Sequence, residues 1–257
     1  MWRIWHKLLI RFDKDKAVNF MNYGFADLNG AKLKELQRED EQNRYCIQLY
    51  DHVVSKVDLE NKKVVEVGSG RGGGADFISR YYKPKSYTGI DISADVINFC
   101  NRNYRVNGLS FLKGRAEKIP VSNESCDALV NVESARCYSS ISAFFKEVHR
   151  VLHPEGHFLF ADMIEKDKVE EVKKELEENG FEIKHEKEIT PNVAKGLEMD
   201  NIRREKIINR RIPRFLRGAF KSFAGTKGTV RYKSFNNGKF QYWSFVLTKR
   251  IPIRVQS

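Results

Sequence analysis

Short apolar runs recur at regular intervals through the middle of the chain. Runs at 63–67, 86–90, 109–113, 126–132 and 157–161 have the length and the β-branched or aromatic content of strands. Between them, apolar residues at helical spacing predict helices over 73–82, 94–107 and 142–152. Elements alternating at these lengths make βαβ units, so the predicted fold is α/β, a doubly wound and mostly parallel sheet. A further helix fits 166–179, with Gly180 as its stop, followed by strands at 181–187 and 241–249. Two stretches fall outside the alternation. Residues 1–58 are largely helical by pattern and read as an N-terminal lid region. Residues 190–238 read as a cap inserted before the last strand, which leaves 59–189 with 239–250 as the core. Open α/β sheets bind ligands beyond the C-terminal ends of their strands, and both outlying stretches are expected over that edge.

The first strand runs into Val64-Val-Glu-Val-Gly-Ser-Gly-Arg-Gly-Gly-Gly74, and the second ends in Tyr87-Thr-Gly-Ile-Asp91. Glycines let the backbone approach a ligand closely, and a carboxylate one strand over can hold ribose hydroxyls. Gly68, Gly70 and Gly73 satisfy the G-x-G-x-x-G pattern of dinucleotide enzymes, so the turn alone leaves a dehydrogenase open. Three details favour S-adenosylmethionine instead. Glu66 sits on the strand just before the glycines. Gly114-Arg-Ala-Glu117 follows the third strand, on the side where adenine is held. Arg150-Val-Leu-His-Pro-Glu-Gly156 precedes the fifth strand, and an aromatic-rich strand closes the sequence.

These motifs, in this order, resemble the class I S-adenosylmethionine-dependent methyltransferases, in which Arg-Val-Leu-x-Pro-Gly-Gly recurs. Glu155 stands here in place of the first glycine of that pair. A narrower resemblance extends over most of the chain. Glu41-Gln-Asn-Arg44, Val57-Asp-Leu59, Gly72-Gly-Gly74, Ser86-Tyr-Thr-Gly89, Asn131-Val-Glu-Ser-Ala-Arg-Cys-Tyr138, Pro213-Arg-Phe-Leu216 and Phe223-Ala-Gly-Thr-Lys-Gly228 are similar to the phthiotriol/phenolphthiotriol dimycocerosate methyltransferases. That resemblance implies a Rossmann-like fold, S-adenosyl-L-methionine as cofactor, and O-methylation of a hydroxyl on a very apolar lipid. The family is related to the sterol and natural-product methyltransferases.

The resemblance also implies a pocket. Gly68, Ser69 and Gly70 are expected beneath the methionine part of the cofactor, with Glu66 supporting the turn. Asp91 is expected to accept both ribose hydroxyls, and Ile92 to pack on adenine. Ala116 and Glu117 belong beside the adenine edge. Related enzymes often carry Asp where this chain has Arg115, so an acceptor for the adenine amino group must come from backbone or Glu117. Asn131 and Val132 should line the methyl-donor pocket. Tyr23, within Met21-Asn-Tyr-Gly-Phe25, resembles an aromatic that closes over the cofactor, and Arg44 is expected at the cofactor carboxylate. Hydrophobic docking for Tyr23 and an exposed helix face for Arg44 account for the sequence equally well.

A hydroxyl acceptor gains from a base that takes its proton. In the resembled family a histidine occupies the place of Arg136, and arginine stays protonated. Glu133 and Tyr138 are therefore the candidate catalytic residues, unless a histidine elsewhere in the chain supplies the base. Alternatively the acceptor needs no base, or Arg136 binds an anionic group on it.

Charge adds a possible partner surface to this picture. Of the formal net charge of +12, residues 201–233 supply +10, with eleven Lys/Arg against the single Glu205, while 17–200 is mildly acidic. Apolar residues interleave with those cations, as in a cationic amphipathic surface that lies on an anionic membrane. Trp2 and Trp5, beside Arg3, Lys7 and Arg11, make a second candidate interfacial element. No apolar run reaches membrane-spanning length, and no signal-peptide pattern is present. Cys46, Cys100, Cys126 and Cys137 lack CxxC spacing and read as reduced thiols, with no metal site. A cytoplasmic enzyme, peripheral at a membrane surface, is the expected setting. An RNA or protein methyltransferase using the basic segment is the alternative, although no nucleic-acid-binding module is recognisable. A catalytically inactive cofactor-binding module is a third reading, resting on Arg136. Oligomeric state is not legible.

Overall fold

The computed structural model of the chain describes residues 18–30 and 33–250. Seven strands form one sheet: β1 (Lys63–Val67), β2 (Ser86–Asp91), β3 (Leu109–Lys113), β4 (Cys126–Val132), β5 (Leu152–Glu165), β6 (Phe181–Glu188) and β7 (Phe240–Lys249). Their order is β3-β2-β1-β4-β5-β7-β6. The first five are parallel, and β7 slots antiparallel between β5 and β6. The α/β expectation therefore holds, element by element.

Eight helices accompany the described strands: α1 (Arg44–Val54), α2 (Gly73–Tyr81), α3 (Ala94–Asn103), α4 (Ile141–Val151), α5 (Val169–Glu178), α6 (Thr190–Arg211), α7 (Arg217–Phe223) and α8 (Val230–Asn236). Local chemistry sets several of their ends. Ser93 caps α3 by accepting from Val96 N–H at 3.4 Å, and Ser140 caps α4 through Ala143 N–H at 3.1 Å. α3 stops four residues short of the expected 107, because Tyr104 turns extended and sends its hydroxyl to the Arg71 carbonyl at 2.9 Å. β5 starts at Leu152, earlier than expected, and Glu155 within it has φ +62°. That left-handed conformation is where glycine is unstrained, which fits the glycine of the resembled motif.

The strands alternate their side chains between two apolar layers. Val64, Tyr87, Val130 and Leu159 face α1, α2 and α3, and Val65, Ile90, Leu129, Phe158 and Phe160 face α4 and α5. A sheet buried on both faces accounts for the near-continuous apolar strands in the sequence.

Within 1–58 the described helix is confined to the 3-10 turn Glu41–Asn43 and α1. Residues 18–26 instead form an irregular arm, turned at Gly24 (φ +86°), whose N–H donates to the Asn22 side chain at 3.0 Å. The arm is stitched to α6, where Asn192 exchanges two hydrogen bonds with Ala26 at 3.0 and 2.9 Å. Trp2 and Trp5 lie outside the described residues.

Candidate active site

In this strand order the connections change direction between β1 and β4, and ligands of open α/β sheets sit in the crevice beyond that point. A cavity of about 830 Å³ opens there. Its walls come from the β1–α2 turn, the ends of β2 and β3, the segment after β4, and the arm at Asn19–Asn22. Gly68, Ser69, Gly70, Asp91, Ile92, Ala116, Glu117, Val132, Glu133 and Tyr138 all line it, so the structure brings most of the expected residues together.

The β1–β3 side is built mainly from backbone. Gly68 has φ +78°, and a Cβ there would lie 2.3 Å from Ser134 Oγ. Asp91 is buried at the tip of β2. One carboxylate oxygen accepts from Gly70 N–H at 3.2 Å and the other from Ser93 N–H at 2.9 Å, so it ties the glycine turn to the start of α3. Glu117 accepts from the Ser139 N–H at 2.8 Å and its hydroxyl at 2.6 Å, joining the adenine side to the loop after Tyr138. Glu66 lies behind the wall and is fully buried. It accepts from the Tyr50 hydroxyl at 2.8 Å and the Tyr87 hydroxyl at 3.0 Å. Burial outweighs those two hydrogen bonds and pushes its carboxyl up to about 7.

The β4–β7 side is built from side chains. Glu133 follows β4 at φ +55°, a conformation that costs a non-glycine residue of order 1–3 kcal/mol. Its Oε1 accepts from Tyr23 N–H at 2.7 Å and from the Tyr242 hydroxyl at 3.1 Å. Its Oε2 is buried without a hydrogen-bond partner, 3.6 Å from the Arg136 guanidinium. Burial raises the Glu133 carboxyl to about 7, against the pull of Arg136 and the Tyr23 hydrogen bond. Arg136 is ion-paired with Asp162 on β5, whose other oxygen accepts from the Arg136 N–H at 3.1 Å. Tyr138 lines the cavity, with its hydroxyl within 2.8 Å of Asn131 Nδ2 and 2.7 Å of Ser134 Oγ. Burial pushes that phenol upward, which keeps it protonated.

Five expected residues do not line the cavity. Glu66 and Asn131 sit one layer behind it, Asn131 donating to the Val67 carbonyl at 2.8 Å. Arg136 is turned to Asp162 and Glu133. Tyr23 is buried, but its ring packs edge-on against Phe235 at 5.2 Å, and the residues before it line the cavity instead. Arg44 donates to Glu41 at 2.6 Å and to the Lys34 carbonyl, an arrangement that holds its guanidinium on a helix end. Sequence reasoning missed Asp162 and Tyr50. Asp162 carried a usable signal: an acid directly after the apolar run at 157–161.

Together the turn, the acid on β2 and the cavity define a nucleotide-binding α/β enzyme. Residues 65–160 match the family model described as a methyltransferase domain. The phthiotriol/phenolphthiotriol dimycocerosates methyltransferase of Mycobacterium tuberculosis is 33% identical over 249 residues, covering 97% of this chain and 92% of that protein. A fatty-acid O-methyltransferase of Mycolicibacterium smegmatis is 34% identical over 233 residues, covering 91% and 85%. The solved geranyl diphosphate C-methyltransferase of Streptomyces coelicolor, in complex with geranyl diphosphate and S-adenosyl-L-homocysteine, shares the fold at a TM-score of 0.64 and 17% identity, over 96% of this chain and 98% of that one. The chain belongs to the S-adenosylmethionine-dependent methyltransferases, in the family of these mycobacterial O-methyltransferases. Its cofactor is S-adenosylmethionine. The site fits that group: a Cβ at Gly68 would lie 2.3 Å from Ser134 Oγ, and the buried Asp91 carboxylate stands beside the glycine turn.

Proposed function

We propose that this methyltransferase acts on a hydroxyl of a long-chain lipid, with Glu133 as the base. The observation that carries the reading is Glu133, a residue of the cavity lining whose Oε2 is buried with no hydrogen-bond partner, 3.6 Å from the Arg136 guanidinium. When bound, the cofactor supplies an electrophilic methyl group. Gly68, Ser69 and Gly70 cradle its methionine part, with Glu66 and Asn131 shaping the wall from behind. Asp91 holds the ribose hydroxyls, and Ile92, Ala116 and Glu117 hold the adenine. Val132 and Tyr138 flank the methyl, Tyr138 as a neutral wall rather than a proton acceptor. With the cofactor bound, the acceptor oxygen would take the methyl as the methyl–sulfur bond breaks and the sulfonium becomes a neutral thioether, and the acceptor proton would pass to the Glu133 carboxylate. Arg136 keeps Glu133 company as a countercharge and is not itself the base. The names of the mycobacterial relatives and the apolar Phe20 and Met21 at the mouth support a lipid acceptor.

In the same reading 59–189 with 239–250 bind the cofactor, and the cap at 190–238 meets an anionic membrane from the cytoplasmic side. Ile202, Phe215 and Val230 support this, being 81%, 85% and 80% exposed beside the exposed Lys206, Arg210 and Arg214. No helix among the described residues is long and apolar enough to cross a membrane. The test is methyl-labelled cofactor incubated with hexadecanol, with a total lipid extract, and with total RNA and protein. Label in the lipid fractions is the expected result; label in RNA or protein alone overturns the acceptor assignment.

A further inference from the structure

The peptide unit joining Asn22 to Tyr23 is gripped at both ends by ionisable groups, a buried carboxyl and a part-buried guanidinium. Its N–H donates to Glu133 Oε1 at 2.7 Å, and its carbonyl accepts from Arg204 Nη2 at 3.0 Å. The same guanidinium donates to the Tyr23 carbonyl and to the Ala224 carbonyl, both at 3.0 Å. Arg204 is held from behind by Asp200, 4% exposed, which accepts its Nε at 2.8 Å and also pairs with Arg203. Two of the cations that the sequence assigned to a surface are thus turned inward, and Arg204 faces the arm.

A trans peptide presents its carbonyl and its N–H on opposite sides. The guanidinium therefore sits at the oxygen end and the carboxylate at the hydrogen end of one polarisable unit. Hydrogen bonds in series strengthen one another, and bonds to ionised groups are stronger than neutral ones. We propose that Arg204 is a positioning residue for methyl transfer: through the 22–23 peptide it fixes the Glu133 carboxylate with Oε1 engaged and Oε2 left for the acceptor. This rests on the reading of Glu133 as the base.

Other groups also face Glu133. Arg136 comes from the turn after β4, Asp162 from β5 and Tyr242 from β7. Cys46 and Tyr50 on α1, and Cys137 beside Arg136, lie within electrostatic reach. Arg136, Tyr242 and the Tyr23 N–H favour the ionised carboxylate, and Asp162 opposes it. Arg204 acts on the same balance from the far end of the peptide.

The experiment follows the Tyr23 amide proton by NMR in isotope-labelled full-length protein as pH is varied, so no acceptor is needed. In the wild type this resonance should titrate near pH 7, with Glu133. In Arg204→Met the midpoint should move up by at least about half a unit, roughly threefold in the proton equilibrium. Arg204→Lys, which keeps a cation but not the fork, should fall between. A packing role alone would lower the melting temperature and leave the midpoint in place. An unmoved midpoint in Arg204→Met, or a wild-type amide that does not titrate, overturns the proposal. Where Arg204→Met does not fold, an Arg204→Lys midpoint equal to wild type does the same. The base reading fails separately, through a Glu133→Gln enzyme that methylates hexadecanol at the wild-type rate.

Discussion

The two sides of the cavity are held together by opposite means. Towards β3 the wall is main chain, and these hydrogen bonds span at most 21 positions: a glycine turn, an acid one strand over, a serine cap on the next helix. Towards β7 the wall is side chain, and its contacts join residues far apart in the chain. Tyr23 and Glu133 are 110 positions apart, Glu133 and Tyr242 109, and Asn22 and Arg204 182. The first side tolerates little substitution but can be recognised locally. The second assembles only when arm, cap and last strand are all in place.

That contrast can be broken from either side. The largest effect is expected from Gly68→Val, which puts a β-branched residue at positive φ against Ser134. Calorimetry should find cofactor affinity lowered by about a hundredfold or more. Next is Glu133→Gln, for which kcat should fall by roughly 10²–10⁴ with cofactor affinity unchanged. The wild-type rate should climb as pH rises through about 7, where Glu133 ionises, and the variant should lose that limb. If the variant instead loses cofactor, the two sides are not separable.

Glu66 sharpens the comparison through stability. Burial raises its folded-state carboxyl to about 7 from an ordinary 4.5, so the native state keeps a proton that the unfolded chain has lost between those values. Stability contributed by Glu66 is thus complete below that window and declines as pH rises through it. Glu66→Gln should flatten this dependence in denaturant melts taken across the window. Arg136→His touches neither the turn nor Asp91, and should leave cofactor affinity within about twofold. The smallest effect is expected from Phe215→Ser: cofactor binding intact, and co-sedimentation with anionic vesicles reduced severalfold. Unchanged co-sedimentation would remove Phe215 from the membrane reading.

The same contrast explains what the sequence made legible. The inner strands β1, β4 and β5 were readable because they are near-continuously apolar and buried, whereas the edge strands β3 and β6 carry only an alternating pattern of buried and exposed residues. Gly68, Gly70 and Asp91 were readable because their spacing is itself the constraint. Tyr23 was expected over the cofactor, yet its ring goes to Phe235 while its backbone goes to Glu133; nothing local to Tyr23 encodes either partner. Arg203 and Arg204 looked like surface charge because the buried Asp200 that turns them inward is only a helical turn away, in a segment rich in cations. Arg44 matched a motif, but the motif also contains Glu41, which engages it.

The placement of β7 has a consequence for the order in which the molecule is completed. The last described strand is an inner one, paired along Phe240–Glu165 through Thr248–His157 on one side and with β6 on the other. Until it is synthesised, β5 presents an open apolar edge, and β6 has no neighbour within the sheet. The hydrogen bonds that Asp91 and Ser93 make in the glycine turn and the helix start, by contrast, all come from residues that precede β3. A nascent chain therefore has every residue of that turn well before it has Tyr242, whose hydroxyl donates to Glu133 Oε1.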